Sequence, residues 1–365
     1  MQSERFRPLV DAVGPFISIH LDDSHDTADA TAQLDARLRD IRKRLEDAAV
    51  GAGVIEAIDT AVRAKHPPVG RSGRVVVAAG EKIVLDQHLT VPPAVTTVRV
   101  SELPYIVPVV EHGMLATTYL LVAVDHTGAD IVVRDGTDRA ETIDGSGHPV
   151  HKAHKADTAG YGGPQGRVDE AVRKNIREVA DRVTRLFDER GVDIVFLTGD
   201  ARTELATVLP DRVADKAVPV QGGGRAAGTD DAEVHTAMAE EFAKHRLAAV
   251  EDVVQRFNAG HGTGLAVQGL TEVIGALRDG AVDTLIIGDL GDRTVVADHE
   301  QLALIGPDTD TVSSLGGSPD RVLRADEALP LLAVATGAAL VRTDERLAPT
   351  DGIGAVLRYP DMGQH

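Results

Sequence analysis

The apolar positions of this 365-residue chain fall into three successive patterns. In the first, Phe16, Ile17 and Ile19 mark a strand over Pro15–Leu21, and Leu34, Leu38, Ile41 and Leu45 recur at helical spacing within Ala28–Ala49. A second helix fits Val54–Ala64, after which Pro67, Pro68 and Gly70 break the chain. Short strands follow at Arg74–Ala79, Lys82–Leu85 and Val95–Val100. The second pattern opens with strands Tyr119–Asp125 and Ala129–Arg134, joined by the hairpin signal Asp125-His126-Thr127-Gly128, and a third strand reaches Ile143. A helix then carries Val168, Val172, Ile176, Val179, Val183, Leu186 and Phe187 on one face. It is followed by a buried strand Asp193–Thr198, a helix Ala201–Leu209 and a strand Ala217–Val220.

Gln221–Gly228, with three consecutive glycines, predicts a flexible hinge. Beyond it the spacing predicts a long helix over Asp231–Phe257 and a Gly-rich break at Gly260–Gly264. A helix Leu265–Leu277, a strand Thr284–Gly288, a polar insertion, a helix Ala325–Ala338 and a strand Ala339–Arg342 complete the pattern. Strands in hairpins first and strands alternating with helices later predict an α/β (α+β) chain in which helices pack on mixed sheets. Three domains are expected, at 1–113, 114–226 and 227–365, the last a β/α sandwich.

One segment falls outside every period. Gly145–Arg167 reads G-S-G-H-P-V-H-K-A-H-K-A-D-T-A-G-Y-G-G-P-Q-G-R, and loops of this length are functional or disordered. It carries Lys152, Lys155 and Arg167 against Asp157 alone, in a chain of formal charge −19. The acidity lies elsewhere: Ala227–His365 holds 23 Asp and Glu against 10 Lys and Arg. That region repels phosphate, so a nucleic-acid surface belongs to the first two regions.

Composition removes several function classes. An apolar fraction of 43% supports real cores, built from aliphatic residues because aromatics are only 3%. With no cysteine there is no disulfide framework, thiolate zinc site or cysteine nucleophile, which fits a reducing cytosol. The first residues lack a signal-peptide core, and no apolar run nears the ~18 to 20 residues of a membrane span. A soluble cytoplasmic protein is expected.

Candidate chemistry is sparse. Gly160–Arg167 lacks the Lys-Ser or Lys-Thr of a phosphate loop, and no strand directly precedes it, as a dinucleotide fingerprint requires. His148, His151 and His154 recur every three residues without an evident carboxylate partner, a poor metal set. Asp125 and Asp130 could hold Mg²⁺ for phosphodiester cleavage, although aspartate is also a common hairpin-turn residue. Arg37, Arg39, Arg42, Lys43 and Arg44 form a basic run interleaved with Asp35, Asp40, Glu46 and Asp47, and Arg71 and Arg74 could extend it. No Ser-His-Asp spacing or nucleophile elbow is present.

The order of these features resembles the bacterial branch of the archaeo-eukaryotic release factor and Pelota superfamily, and within it the chain is similar to Balon-type ribosome hibernation factors. The resemblance is carried by Gly162–Val168, Asp193–Gly199, Gly280–Ile287 and Ala325–Leu329. It implies an N-terminal α/β domain on the decoding-centre side and a central ribonuclease-H-like domain with helices on a mixed sheet. It also implies an acidic C-terminal α/β sandwich of the kink-turn-binding ribosomal-protein type, which would dock protein partners. Release factors of this kind carry a Gly-Gly-Gln tip, and here the corresponding loop reads Gly162-Gly163-Pro164-Gln165. Proline fixes its own φ and restricts the residue before it, so a tip that positions a hydrolytic water is compromised. Neither an Asn-Ile-Lys-Ser segment nor a cysteine-containing stop-codon motif is present.

The resemblance therefore implies a non-enzymatic hibernation factor in the vacant A site of the 70S ribosome, associated with elongation factor Tu, without cofactor, metal, DNA or membrane. A peptidyl-tRNA-hydrolysing rescue factor is the alternative. On this reading His148, His151, Lys152, His154, Lys155, Tyr161, Gly162, Gly163, Gln165 and Arg167 of the central loop contact rRNA. The cations suit phosphate, and the rings suit stacking. Arg37, Arg42, Lys43, Arg44, Arg71 and Arg74 form the N-terminal rRNA patch.

Overall fold

In a computed structural model the chain is described over residues 4–25, 27, 29–64, 71–113, 118–134, 138–146, 164–225, 232–343 and 346–360. It divides into two compact units, one of Met1–Leu115 with Phe242–His365, the other of Ala116–Glu241.

The first unit begins with a short helix α1 (Arg7–Val10), strand β1 (Phe16–Asp22), and helices α2 (Ala30–Asp47) and α3 (Ala52–Ala64). Strands β2 (Gly73–Ala79), β3 (Lys82–Leu89) and β4 (Thr97–Ser101) and helix α4 (Val107–His112) follow. The strands form an antiparallel sheet in the order β3-β2-β1-β4. Successive side chains of β1 point to opposite faces. Ile17, Ile19 and Leu21 pack on Leu34, Leu38, Ile41 and Leu45 of α2 and on Ile55, Ile58 and Val62 of α3. The other face of β1 offers Phe16, Ser18 and His20, and all three are buried as well.

The second unit contains β5 (Tyr119–Val124), β6 (Gly128–Arg134), β7 (Asp138–Asp144), α5 (Pro164–Arg190), β8 (Ile194–Thr198), α6 (Arg202–Val208), α7 (Asp211–Ala214) and β9 (Ala217–Pro219). The sheet order is β7-β6-β5-β8-β9, with β6 antiparallel to β5 and β7, and β5, β8 and β9 parallel. This is the strand order of a ribonuclease-H-like sheet. Ile176, Val179, Val183 and Leu186 of α5 cover Leu120, Val122, Ile131, Val133, Val195 and Leu197. The 27-residue helix is about 40 Å long, from its 1.5 Å rise per residue.

Helix α8 (Ala232–His261) leads to the remainder of the first unit: β10 (Ala266–Gln268), α9 (Leu270–Arg278), β11 (Val282–Ile287), β12 (Thr294–Asp298), β13 (Ile305–Gly306), α10 (Thr309–Ser314), β14 (Pro319–Arg324), α11 (Ala325–Ala335), β15 (Ala339–Arg342) and β16 (Ile353–Leu357). One sheet runs β10-β16-β11-β15 and a smaller one β13-β12-β14. Phe6, Phe16, Val75, Val77, Ile106 and Val109 from the start of the chain join Leu285, Leu329, Leu332 and Leu340 from its end in one hydrophobic core.

Several expectations change. Leu265 does not open a helix: Ala266–Gln268 pairs with β16, and the helix starts after Gly269, whose φ of 89° only glycine adopts readily. The polar insertion holds the three-stranded sheet and α10. Helix α5 begins at Pro164, four residues earlier than the apolar spacing predicts, because a proline at the first helical position has no N–H to leave unpaired. Helices α1 and α4 and strand β16 were not legible from periodicity.

A buried charge group fastens the beginning of this unit to its end. Arg99 on β4 reaches Asp326 at 3.0 Å and Glu327 at 3.2 Å in the first turn of α11. Its guanidinium carbon lies 3.5 Å from the centroid of Tyr105. Arg324 holds the other oxygen of Asp326 at 3.0 Å. Burial pushes the Glu327 carboxyl up in spite of Arg99. His20 lies against Tyr105 with ring centroids 5.2 Å apart, and burial, aided by the charge of Arg99, drives its pKa down to about 4.

Two outcomes follow. Arg99→Met strands buried carboxylates and should destabilise the unit by on the order of 3 kcal/mol, visible as faster hydrogen exchange in β1 and α11. His20 stays neutral in the folded unit to about pH 4, whereas the unfolded chain takes up the proton near the ordinary histidine value of 6.5. Stability should therefore fall as pH drops between those values, by at most about 1.4 kcal/mol per pH unit from this group. Glu327 titrates in the opposite sense. Urea midpoints at pH 7 and pH 5 should differ less in His20→Leu than in the native protein.

Candidate nucleic-acid interface

The root of the long loop is built from β5, β6, β7 and α5. Asp144 ends β7, and the amide of Gly145 donates to the carbonyl of Thr127 at 2.8 Å. Gly145 abuts the side chain of Asn175 so closely that a Cβ would overlap it, which makes glycine a requirement. Asn175 is buried and donates to the His126 carbonyl at 3.0 Å. The amide of Ser146 donates to Glu178 at 2.9 Å, and its hydroxyl donates to the other carboxylate oxygen. These two bonds hold the Glu178 carboxyl below the usual range.

Arg225 closes the root from the far side of the sheet order. It meets Asp144 at 3.0 Å, Asp125 at 3.3 Å and Asp130 at 3.5 Å, and donates to the Thr127 hydroxyl at 3.1 Å. Burial works against its charge, but the three carboxylates hold the guanidinium more firmly protonated. Thr198 also donates to the Gly222 carbonyl. Residues 221–225 of the expected hinge are thus pinned to the sheet, and 226–228 lie outside the described residues.

The aspartates weighed for Mg²⁺ have other work. Asp125 accepts from the Thr127 hydroxyl at 2.6 Å and from the amides of Thr127 and Gly128 at 2.7 and 2.9 Å, which is the hairpin-turn role of aspartate. Burial would raise its pKa, but these donors and Arg225 bring it below the ordinary value. Among the described residues no group of three metal-ligating side chains forms, and no helix is long and apolar enough to cross a membrane.

Of the ten central-loop contacts expected, two fall within the described residues. His148, His151, Lys152, His154, Lys155, Tyr161, Gly162 and Gly163 lie outside the described residues. Gln165 and Arg167 stand in the first turn of α5. Glu178, at the anchored root, is 14 positions beyond Pro164, so about 21 Å of helix separates the two ends of segment 147–163.

The N-terminal patch needs correction. Arg74 is fully buried: it binds Asp86 at 2.8 and 3.0 Å and the carbonyls of Val62 and Ala61 at 2.7 and 2.8 Å. A guanidinium so enclosed cannot reach RNA. Arg37 pairs with Asp22 at 2.8 Å, Arg42 with Glu56 at 3.4 Å, and Arg44 with Asp40 at 3.7 Å and the Thr96 carbonyl at 2.9 Å. Their charge is largely balanced, whereas Lys43 and Arg71 are exposed. Sequence reasoning missed Arg225, whose partners lie about a hundred residues away, and the exposed cations Arg173, Lys174 and Arg177 of α5. The latter were legible as basic positions three and four apart on the polar face of the predicted helix.

Among the described residues the site is therefore an anchored root on the central sheet and the long helix α5, between which residues 147–163 run in sequence. Residues 118–263 match the family model for bacterial archaeo-eukaryotic release factor family 2, a span that takes in the whole central sheet, the loop and α8. Two curated relatives, the uncharacterized proteins MT2704 and Rv2629 of Mycobacterium tuberculosis strains CDC 1551 / Oshkosh and ATCC 25618 / H37Rv, are each 47% identical over 364 residues. Each alignment covers 98% of this chain and 97% of the relative. Among solved structures, the archaeal translation termination factor aRF1 aligns over 98% of this chain and 99% of its own at 17% identity and a TM-score of 0.24. Ribosome-bound archaeal Pelota, in a model with ABCE1, aligns over 98% and 94% at 15% identity and 0.40. Those structural likenesses are too distant to carry an argument. The family match across the loop-bearing unit, with relatives of nearly the same length and close to half identical, makes this chain a member of bacterial archaeo-eukaryotic release factor family 2.

Proposed function

We propose that this protein binds the vacant A site of the 70S ribosome in the cytoplasm and blocks translation there as a hibernation factor. The N-terminal region would face the decoding centre and the central loop the peptidyl-transferase centre. The acidic C-terminal region, which repels RNA, would dock a protein partner, for which elongation factor Tu is the candidate. Boundaries at 1–113, 114–226 and 227–365 describe these three roles.

The observation that carries the reading is Pro164 as the first residue of α5, directly after Gly162-Gly163. Release factors of the superfamily carry Gly-Gly-Gln at this tip. Here the glutamine is displaced by one position and lies within a helical turn, so it is not free to sit on a sharp glycine bend beside an ester carbonyl. A chain of this family that keeps the basic loop and loses the tip geometry suits occupation of the centre without hydrolysis. The lysines of the loop suit backbone phosphate, and the histidines and Tyr161 suit unstacked bases.

Sedimentation with purified vacant 70S ribosomes at near-physiological salt should bring the protein down with the particles; a protein that remains in the supernatant ends the proposal. Lys152→Ala with Lys155→Ala should weaken binding and reduce the slope of log affinity against log salt by roughly one unit for each phosphate no longer neutralised. Incubation with a stalled peptidyl-tRNA complex should release no peptide. Release that Gln165→Ala abolishes would instead establish the rescue-factor reading.

A further inference from the structure

We propose that the solvent face of α5 around Lys174 and Arg177 is a docking surface for RNA phosphate. The inference deepens the ribosome-binding reading and rests on it for the identity of the RNA.

Three observations lead here. The first is placement. Ile176, Val179, Ala180, Val183 and Leu186 fix which side of α5 meets the sheet, and Asn175 and Glu178 fix which side meets the loop root. Arg173, Lys174 and Arg177 fall on the side left over, three and four residues apart, and all three are exposed. They sit within one helical turn, about 6 Å along the axis. Glu170 and Asp181 bound the group, so the cationic stretch is local.

The second is the contrast with three arginines of this unit that carboxylates hold. Arg182 is held by Glu141 at 2.7 Å, Arg212 by Asp188 at 2.7 Å, and Arg225 by three aspartates. Lys174 and Arg177 form no ion pair with a described residue. Glu178, the carboxylate one turn beyond Lys174, feels the charge of Lys174 but gives its hydrogen bonds to both donors of Ser146. In a chain of charge −19, acidic partners are abundant, yet Lys174 and Arg177 pair with none of the described ones.

The third is reach. The face lies on the same helix that begins at Pro164, and about 15 Å along the axis separates that end of α5 from Lys174. A polyanion satisfies a row of cations at this spacing, and its low-salt attraction acts over about a Debye length.

The test uses the full chain with Lys174→Ala and Arg177→Ala together, and Lys82→Ala, an exposed lysine of the other unit, as the control. Both replaced side chains are exposed, and unchanged circular dichroism and thermal midpoint check folding. Binding is measured to 70S ribosomes by sedimentation and to purified rRNA by fluorescence anisotropy, each over a salt series. The double variant should bind both several-fold more weakly, with a salt slope lower by roughly one to two units, since each phosphate left unneutralised removes on the order of one. An unchanged affinity and slope in both arms overturns the proposal. Weaker ribosome binding with an unchanged slope and unchanged rRNA binding also overturns it, because the face would then meet a ribosomal protein. If the native chain stays off 70S particles but the double variant still lowers the slope on purified rRNA, the ribosome reading fails and the phosphate surface stands.

Discussion

Arg99 between Asp326 and Glu327 is the interaction on which the first unit depends. Burying two carboxylates at the start of a helix is costly unless positive charge meets them, and the helix amides alone offer about half a charge. Arg99 and Arg324 supply the rest, and Tyr105 covers the guanidinium of Arg99. The consequence is architectural. Strand β1 has no solvent face, because the side carrying Phe16, Ser18 and His20 is turned toward the C-terminal part of the chain. The start and end of the chain therefore share one core, with the ribonuclease-H-like unit inserted between them in sequence.

In the second unit the organising constraint is the root of a loop that is itself rich in glycine. Holding the base of a long segment removes part of the conformational entropy that any later ordering must overcome. Gly145 against Asn175, Ser146 on Glu178 and the threefold carboxylate grip of Arg225 place that base firmly on the sheet. The same grip takes the first residues after β9 out of the flexible linker they were expected to form. The unit matched by the release factor family is therefore one in which sheet, loop root and long helix are fastened together before any partner arrives.

Much of this was legible from the chain alone. The helix over Leu34, Leu38, Ile41 and Leu45, the hairpin at Asp125–Gly128, the amphipathic α5 and the succession of central strands along the chain all follow from local periodicity and turn chemistry. Errors came where local rules lose to tertiary ones. Ala266–Gln268 is a strand because Val356 and Ala355 of β16 pair with it, and no local signal names that partner. Arg74 looked like part of a basic surface because it stands with Arg71 on either side of Gly73. Its real environment is Asp86 and the last carbonyls of α3.

The sequence by itself determined the secondary elements of the central unit, the uneven distribution of charge, and the proline that stands after Gly162-Gly163. Those are properties of residues near one another, where spacing is enough. Only the tertiary structure decided which cations remain available to a polyanion. An arginine is neutralised or left available according to carboxylates that can lie far away in the chain, 227 positions in the case of Arg99 and Asp326 and 100 in the case of Arg225 and Asp125. Opposite charges find each other through the fold, and which of them pair is visible only there.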